Sequence, residues 1–411
     1  MKPLADAQRE ILAAMRRLPA VRVPLDEAGG LVLAEAVTAP HSVPPFANSA
    51  VDGYAVRAAD TGAAPVDLVV IEDIPAGSVP ARIVEAGTAA RIMTGASIPA
   101  GADAVVMVED TELAEGGVTV AASVAAGNNV RPAGGDLKAG ATVFAPGERI
   151  SPAHVGVLAS IGVAEPLVVR RPTVAVLSTG DELVPAGTAT LPPGAIRDSN
   201  GPMLVAMLRE LGVTVLDMGI VPDDEVLLRS SLAEAASSAD AVVTSGGVSM
   251  GEHDLVKKVL AELGSVDFWK VAMQPAKPFA FGFLDETPLF GLPGNPVSVI
   301  VAFEQFVRPA LLRRMGARRL FRPRGRAVAG EQLRTDGEKT VFLRVVVRRG
   351  EGAAEVFLAG GQGSNVLSAL AAADAFAVVP AGVDMVEIGE PVELEWFRGA
   401  ETRTMEEVLG E

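Results

Sequence analysis

The 411-residue chain contains no cysteine. That single absence excludes disulfide bonds, thiol nucleophiles and thiolate metal sites. Histidine is almost as scarce, with only His41, His154 and His253. A zinc centre built on histidines is therefore not expected. Any metal would be a hard cation held by oxygen, such as Mg2+. No apolar run approaches membrane-spanning length, and the N-terminus carries no signal-like apolar block, so no membrane is expected as a partner. Aromatic residues are 4% of the chain against a hydrophobic content of 49%, which describes cores of Ala, Val and Leu. Cations are also short: 35 Lys and Arg against 51 Asp and Glu give a formal net charge of −16. That balance argues against general nucleic-acid binding. It leaves an anionic small substrate open, because local fields decide that case.

The length exceeds one ordinary core, so about two to four domains are expected. Apolar spacing from Leu4 through Leu18 predicts a helix, and Leu25 to Ala36 reads as a second short one. Pro40 to Pro45 is extended, because prolines and the residues before them avoid the helix. It leads into Phe46 to Ala55, where Asp52-Gly53 alone would read as a hairpin turn. From about Val66 to Val124 short Val/Ile runs cut by Gly and Pro predict strands, and 151–161 returns to helix. A β segment between helical pieces suggests an inserted subdomain. From 172 to 315 strands and helices alternate, as in a parallel sheet covered on both faces. The helix expected at about Val299 to Leu312 is apolar on nearly every side and should be buried. Residues 316–326 are basic and punctuated by Pro and Gly, which fits a linker and also allows a surface phosphate contact. Short strands from 327 to 397 predict a small β domain.

The chemistry should lie beyond the carboxyl ends of the central strands. The most telling stretch is 241–254, in which the apolar run Ala241 to Val243 meets Ser245-Gly246-Gly247 and then a helix from about Leu255. Backbone amides at such a loop suit a phosphate or another oxyanion. Equally, the glycine pair reads as a plain turn and Asp254 as an N-cap. The other loops at these ends are 178–182, 223–224, 274–278 and 291–298. Together they offer the carboxylates Asp181, Glu182, Asp223, Asp224 and Asp254, the cation Lys277 and the hydroxyls Ser245, Ser249 and Ser298. Carboxylates with Mg2+, facing a lysine and backbone amides, are the usual means of handling a phosphoanhydride. Singly, each carboxylate is more often a cap or turn residue, by roughly three to one.

Seven segments carry a resemblance: Phe46 to Ala55, Arg91 to Ala96, Arg131 to Asp136, Ser178 to Leu183, Asp198-Ser199-Asn200, Ser245 to Asp254 and Gly291 to Ser298. In this order the chain resembles MoeA-type molybdopterin molybdenumtransferases, and also the E domain of gephyrin, over nearly its whole length. The resemblance implies an α/β fold with three parts. An N-terminal α+β region would occupy 1–168, with helical and linker parts at 1–45 and 133–168 around a β insertion at about 46–132. A doubly wound, molybdopterin-binding-like domain would follow at 172–315, and a small C-terminal β domain at 323–398. The implied activity is insertion of molybdate into adenylylated molybdopterin at the dithiolene sulfurs, with Mg2+-dependent release of AMP, in the cytoplasm. The implied assembly is a homodimer whose site lies between the central fold and the partner's N-terminal β region. The pathway's adenylyltransferase is the implied functional partner.

By position, the resemblance assigns Asp52, Thr94, Asp136, Glu182, Asp254 and Lys277 to the reaction site. It assigns Gly180, Asp181, Ser199, Asn200, Asp223, Ser245, Gly246, Gly247, Ser249 and the turn Pro293-Gly294-Asn295-Pro296 to pterin, phosphate or anion, together with Ser298. Arg344 and Gln362-Gly363-Ser364 match positions that resemble molybdate contacts. Glu182, Asp223 and Asp254 are the implied metal ligands. Departures from the family pattern are Gln274 where a basic residue is common, Ala276 for glycine, Val51 for methionine and Asp374 for asparagine. One cation fewer at 274 should weaken anion capture. The resemblance also permits a non-catalytic molybdopterin-binding scaffold, or the adenylyltransferase itself.

Overall fold

The structure is a computed structural model that describes residues 1–247, 255–348 and 352–397. Its centre is a six-stranded sheet in the order 214–221, 173–179, 241–245, 287–292, 278–284, 264–270. The first four strands run parallel. The last two, Pro278–Leu284 and Gly264–Lys270, are antiparallel, which corrects the all-parallel expectation. Hydrophobic periodicity reports a strand but not its direction. Here the two-residue connection Asp285-Glu286 makes a hairpin to the strand Thr287–Leu292, so the pairing must be antiparallel. Helices Asn200–Leu211, Glu225–Ser238 and Leu255–Leu263 cover the sheet. The side chain of Asp224 caps the second of these by accepting from Leu227 N at 2.9 Å.

The buried helix after the last central strand is broken into three pieces. Pro296–Ala302 is α-helical, Phe303–Val307 is a π turn, and Arg308–Arg314 is α-helical again. Within the π turn Glu304 and Gln305 are buried at 3% and 1% exposure, as the flanking apolar residues are.

The first region was misread at one point. Leu25 to Ala36 is not a helix: Leu25–Glu27 is one 3-10 turn, and Val32–Leu33 is a strand paired with Leu167–Val169. Pairing of a short apolar strand overrides the weak helix preference of the surrounding Leu and Ala. Asp52-Gly53 is likewise no hairpin turn. Gly53 begins the strand Gly53–Val56, where a Cβ would stand 1.9 Å from Val106 O of the adjacent strand. This strand belongs to the inserted sheet, in the order 104–107, 53–56, 88–92, 66–74, 117–120, 111–114. The C-terminal sheet is also six-stranded and carries one helix, Leu367–Ala372, that the sequence pattern did not announce.

One apolar cluster ties three parts of the chain together. Ile11 and Met15 of the first helix, Phe279, Phe290 and Phe306 of the central domain, and Phe342, Phe376 and Phe397 of the C-terminal domain are all within it. The insert, by contrast, forms two clusters made only of its own residues. Among the described residues no helix is long and apolar enough to cross a membrane.

Candidate functional site

Three parallel strands end side by side at the carboxyl rim, and small polar residues follow each. The strand Thr173–Thr179 ends in buried Ser178 and Thr179, and Ala241–Ser245 ends in buried Ser245. Asn200, the first residue of its helix, stitches the rim. Its Nδ2 donates to Ser245 Oγ at 2.9 Å and to Gly294 O at 2.7 Å. Asp198 Oδ1 accepts from the amides of Asn200 and Gly201 at 2.9 and 3.0 Å. What the rim leaves open is as informative. Among the described residues Ser178 Oγ, Thr179 Oγ1 and Asn200 Oδ1 are buried without a partner. Orphaned polar atoms in a dry position are costly, so a cluster of them marks a place where a polar ligand completes the bonding.

The loop after Ser245 takes a left-handed turn, with φ of 93° at Gly246 and 67° at Gly247. The turn reading of this pair is therefore right about its backbone, and the same backbone faces the rim. Ser249 and Asp254 lie outside the described residues. Gly180, with φ 146°, lies beneath the carboxylate of Glu182, whose Oε2 is 2.5 Å from where a Cβ would stand. Asp181 Oδ1 accepts from the amide of Asp223 at 3.0 Å, which joins two of the acidic loops. Asp181, Glu182 and Asp223 are exposed, as is Ser199.

Beside the rim lies a cleft of about 600 Å³ between the central and C-terminal domains. Asn295, Ser298, Gln274 and Lys277 form its central-domain wall, and Arg334, Lys339, Arg344 and Gln362 to Ser364 form the other. The turn after Leu292 thus serves both surfaces: Pro293 is buried, while Gly294 and Asn295 are exposed. A hydrogen bond from Val297 N to Ser364 O at 3.1 Å closes the end of the cleft.

Arg344 is the decisive residue. It is 1% exposed and has no carboxylate partner among the described residues. One terminal nitrogen donates to Gly361 O at 2.9 Å and Gly363 O at 3.1 Å, and its Nε is buried without a partner. Gln362 holds the same strand, accepting from Arg344 N at 2.9 Å and donating to Arg344 O at 3.1 Å. Burial holds the guanidinium below its ordinary range. A desolvated cation without a counter-charge is expensive, and an anion in the cleft would offset that cost.

Two cations of this cleft escaped the sequence reading, Arg334 and Lys339. They flank Asp336-Gly337, a turn whose charged neighbours look like ordinary surface residues. Lys339 pairs with Asp336 and holds that carboxyl below its ordinary range, and Arg334 Nε donates to Gln332 Oε1 at 2.9 Å. With Lys277 and Arg344 they make four cations against one carboxylate in the wall among the described residues. Gln274 therefore does not leave the cleft short of positive charge. Ala276 does carry the conformation that favours glycine, with φ of 73°.

The insert holds the remaining candidates. Asp52 Oδ1 accepts from the amide and the hydroxyl of Thr94, each at 2.7 Å. The hydroxyl and then the amide hold the Asp52 carboxyl below its ordinary range. Asp136 is exposed, with its amide on Val43 O at 3.0 Å. None of the three lines the cleft. Within one chain they are not brought to the rim.

The comparisons with known proteins give this geometry its family. Residues 2–162 match the MoeA N-terminal region (domain I and II), residues 175–313 a probable molybdopterin binding domain, and residues 326–397 the MoeA C-terminal region (domain IV). The chain belongs to the MoeA family. Similar curated proteins include molybdopterin molybdenumtransferase 2 of Mycobacterium tuberculosis (strain ATCC 25618 / H37Rv). It is 40% identical over 405 residues, which are 96% of this chain and 99% of that protein. The molybdopterin molybdenumtransferase of Haemophilus influenzae (strain ATCC 51907 / DSM 11121 / KW20 / Rd) is 40% identical over 376 residues, 91% of this chain and 93% of that one. Among solved structures, the molybdopterin biosynthesis moeA protein from Pyrococcus horikoshii OT3 superposes with a TM-score of 0.83 at 30% identity. The match covers 97% of this chain and all of that one. The three-part α/β architecture of this MoeA chain is thus the architecture of its relatives.

Proposed function

We propose that this chain is a molybdopterin molybdenumtransferase of molybdenum cofactor biosynthesis. It takes molybdate and adenylylated molybdopterin, joins molybdenum to the dithiolene sulfurs and releases AMP. The observation that carries this reading is Arg344, a buried guanidinium without a carboxylate partner among the described residues, at the wall of a cationic cleft that adjoins the rim hydroxyls. A tetrahedral oxyanion suits it, because the planar fork gives paired donors. Lys277, Arg344 and Ser298 hold molybdate in this account. Ser178, Thr179, Asn200, Ser245 and the amides after it hold the phosphate or pterin end.

Mg2+ is the implied cofactor, and the donors present suit it. Among the described residues no three His, Asp or Glu gather as a metal site. Mg2+ does not need three, since it commonly takes one or two carboxylates and fills its shell with water and substrate phosphate. Glu182 and Asp223 are the described candidates to hold it, and Asp254 was the third assigned. When bound, the ion neutralises charge on the phosphoanhydride. We also infer a cytoplasmic homodimer in which the partner's insert brings Asp52, Thr94 and Asp136 to this rim, because the chain's own insert does not reach it.

The test is AMP release from adenylylated molybdopterin by purified protein supplied with Mg2+ and molybdate. Release that requires both supports the reading. Binding of the pterin with no AMP under any divalent metal overturns it, and points instead to a scaffold.

A further inference from the structure

A second cationic hollow lies away from the cleft, where the first region meets the end of the central domain. It has a volume of about 740 Å³, and Arg149, Arg308, Arg318 and Arg319 contribute to its wall together with His154, Phe321 and one carboxylate, Glu148. Its chemistry is unusual for a chain with a net charge of −16. The carboxylates nearby are already engaged. Glu304 receives Arg322 through two bonds of 2.9 Å, and Glu210 lies 3.5 Å from the same guanidinium. Glu148 accepts from the Ala145 amide at 3.0 Å and lies 3.6 Å from His154 Nε2.

The arginines of the hollow are left with little. Arg308 has a 14% exposed side chain, one contact of 3.4 Å with Leu320 O and a 3.8 Å approach to Glu304. Arg149 donates Nε to Gly30 O at 2.9 Å and a terminal nitrogen to Leu211 O at 2.8 Å, both neutral acceptors. Arg318 is anchored by its amide on Gly147 O at 3.0 Å, and its aliphatic stem crosses Gly147 so closely that a Cβ there would meet Arg318 Cγ at 2.4 Å. Its guanidinium and that of Arg319 have no partner among the described residues. Burial, and then the nearby charge of Arg322, hold both Arg308 and Arg149 below the ordinary arginine range. Four guanidinium groups therefore share this space against one wall carboxylate among the described residues, Glu148, and the 3.8 Å approach of Glu304 to Arg308. Guanidinium forks facing one space, Arg149 and Arg308 held by backbone carbonyls and Arg318 and Arg319 exposed, suit a phosphate.

We propose that this hollow is a second anion site for a small phosphate-bearing molecule. The size suits a pyrophosphate or a nucleotide, since pockets for such ligands run from about 300 to 1,000 Å³. Phe321, 45% exposed, adds an apolar surface at the mouth. Because the hollow draws on two regions of the chain, occupation should also pin them together. The inference is independent of the reading of the main cleft.

Inorganic pyrophosphate is the probe, titrated calorimetrically into the full-length protein at low and at high salt. The variants are the pair Arg318→Ala with Arg319→Ala, the single Arg149→Ala, and Lys277→Ala in the cleft as the control. Far-UV circular dichroism establishes that each is folded. The proposal expects a binding event that Lys277→Ala keeps, that salt weakens, and that each of the other variants weakens by about tenfold or more. It also expects pyrophosphate to raise the melting temperature of wild type more than that of the Arg318/Arg319 variant. No binding to wild type at millimolar pyrophosphate overturns the proposal, as does binding lost only in Lys277→Ala. A change of oligomeric state in the arginine variants, with no pyrophosphate binding to wild type, also overturns it and makes the hollow a protein interface.

Discussion

Replacing Arg344 by methionine separates the two roles this residue could have. In one it is a structural clamp on the turn 361–363. In the other its charge exists for an anion. Its two side-chain bonds go to Gly361 O and Gly363 O, and both glycines are exposed. Water can replace the lost donors, so the clamp contributes only about 1 kcal/mol. Methionine fills most of the same volume and removes a buried charge whose Nε has no partner. Relief of that desolvation works in the opposite direction, by an amount of similar order. The expected net effect on stability is therefore about 1 kcal/mol or less. Anion affinity should behave differently. A hydrogen bond to a charged group is worth about 1.5 to 3 kcal/mol, which corresponds to a loss of about ten- to a hundredfold. Molybdate binding by calorimetry and urea denaturation of the same preparation measure the two quantities. A variant that binds molybdate like wild type but loses several kcal/mol of stability would refute the argument, and would make Arg344 a turn support.

Three further outcomes follow from particular contacts. Thr94→Val removes the largest cause that depresses the Asp52 carboxyl and leaves the amide bond in place. A depressed carboxyl contributes stability above its unfolded value and loses it as pH falls through the folded one, so the variant should have less to lose and should finish losing it at higher pH. The Asp52 carboxyl 13C titration reads this directly, and an unmoved midpoint contradicts the assignment. Glu395 is buried and accepts from Gln305 Nε2 at 2.5 Å, and burial is the main cause of its raised pKa. A raised carboxyl disfavours the fold as pH rises from the ordinary glutamate value through the raised one. Glu395→Gln should therefore be more stable than wild type at neutral pH, by about 1 kcal/mol, with no advantage in acid; an advantage that grows on acidification would reverse the sign. Finally, a Cβ at Gly246 would meet Thr179 O at 2.5 Å, with φ at 93°, whereas Gly294 faces open space without a left-handed φ. Gly246→Ala should cost about 2 kcal/mol or more and Gly294→Ala about 0.5 kcal/mol or less, as thermal unfolding can measure.

Much of the fold was legible because local and global signals agreed. The strand Ala241–Ser245, the cap at Asp224 and the helix stripe of Val256, Val259 and Leu260 each follow from residue type and spacing. The misreadings have one cause, which is that spacing does not say what an element packs against. Val32–Leu33 is a strand only because Leu167–Val169 lies beside it. Gly53 belongs to a strand because Val106 crowds it. A π turn at Phe303–Val307 interrupts the helix expected there, and no propensity scale marks that turn. The candidate site divides in the same way. Glycine loops and polar strand ends could be found in sequence, since their chemistry is local. Arg334 and Lys339 could not, because they become site residues only when the C-terminal domain is laid against Gln274 and Lys277.

That juxtaposition gives the site a polarity. Lys277, Arg334, Lys339 and Arg344 occupy the cleft, with Asp336 the one carboxylate in its wall among the described residues. Asp181, Glu182 and Asp223 stand on the loops of the other sector, joined by the Asp181–Asp223 bond. Lys339 pairs with Asp336 inside the cleft, and Asp181 meets the Asp223 amide inside the acidic sector. Arg344 is tied by the carbonyls of Gly361 and Gly363, and Arg334 by Gln332. Under the proposed function, a substrate with an oxyanion at one end and a phosphate at the other meets the cations with the first and, through Mg2+, the carboxylates with the second. Such a molecule can enter in only one orientation, because reversal would set phosphate against carboxylate and leave the buried arginine unpaired. On this argument the separation of charge, more than any single contact, is what orients the reacting groups.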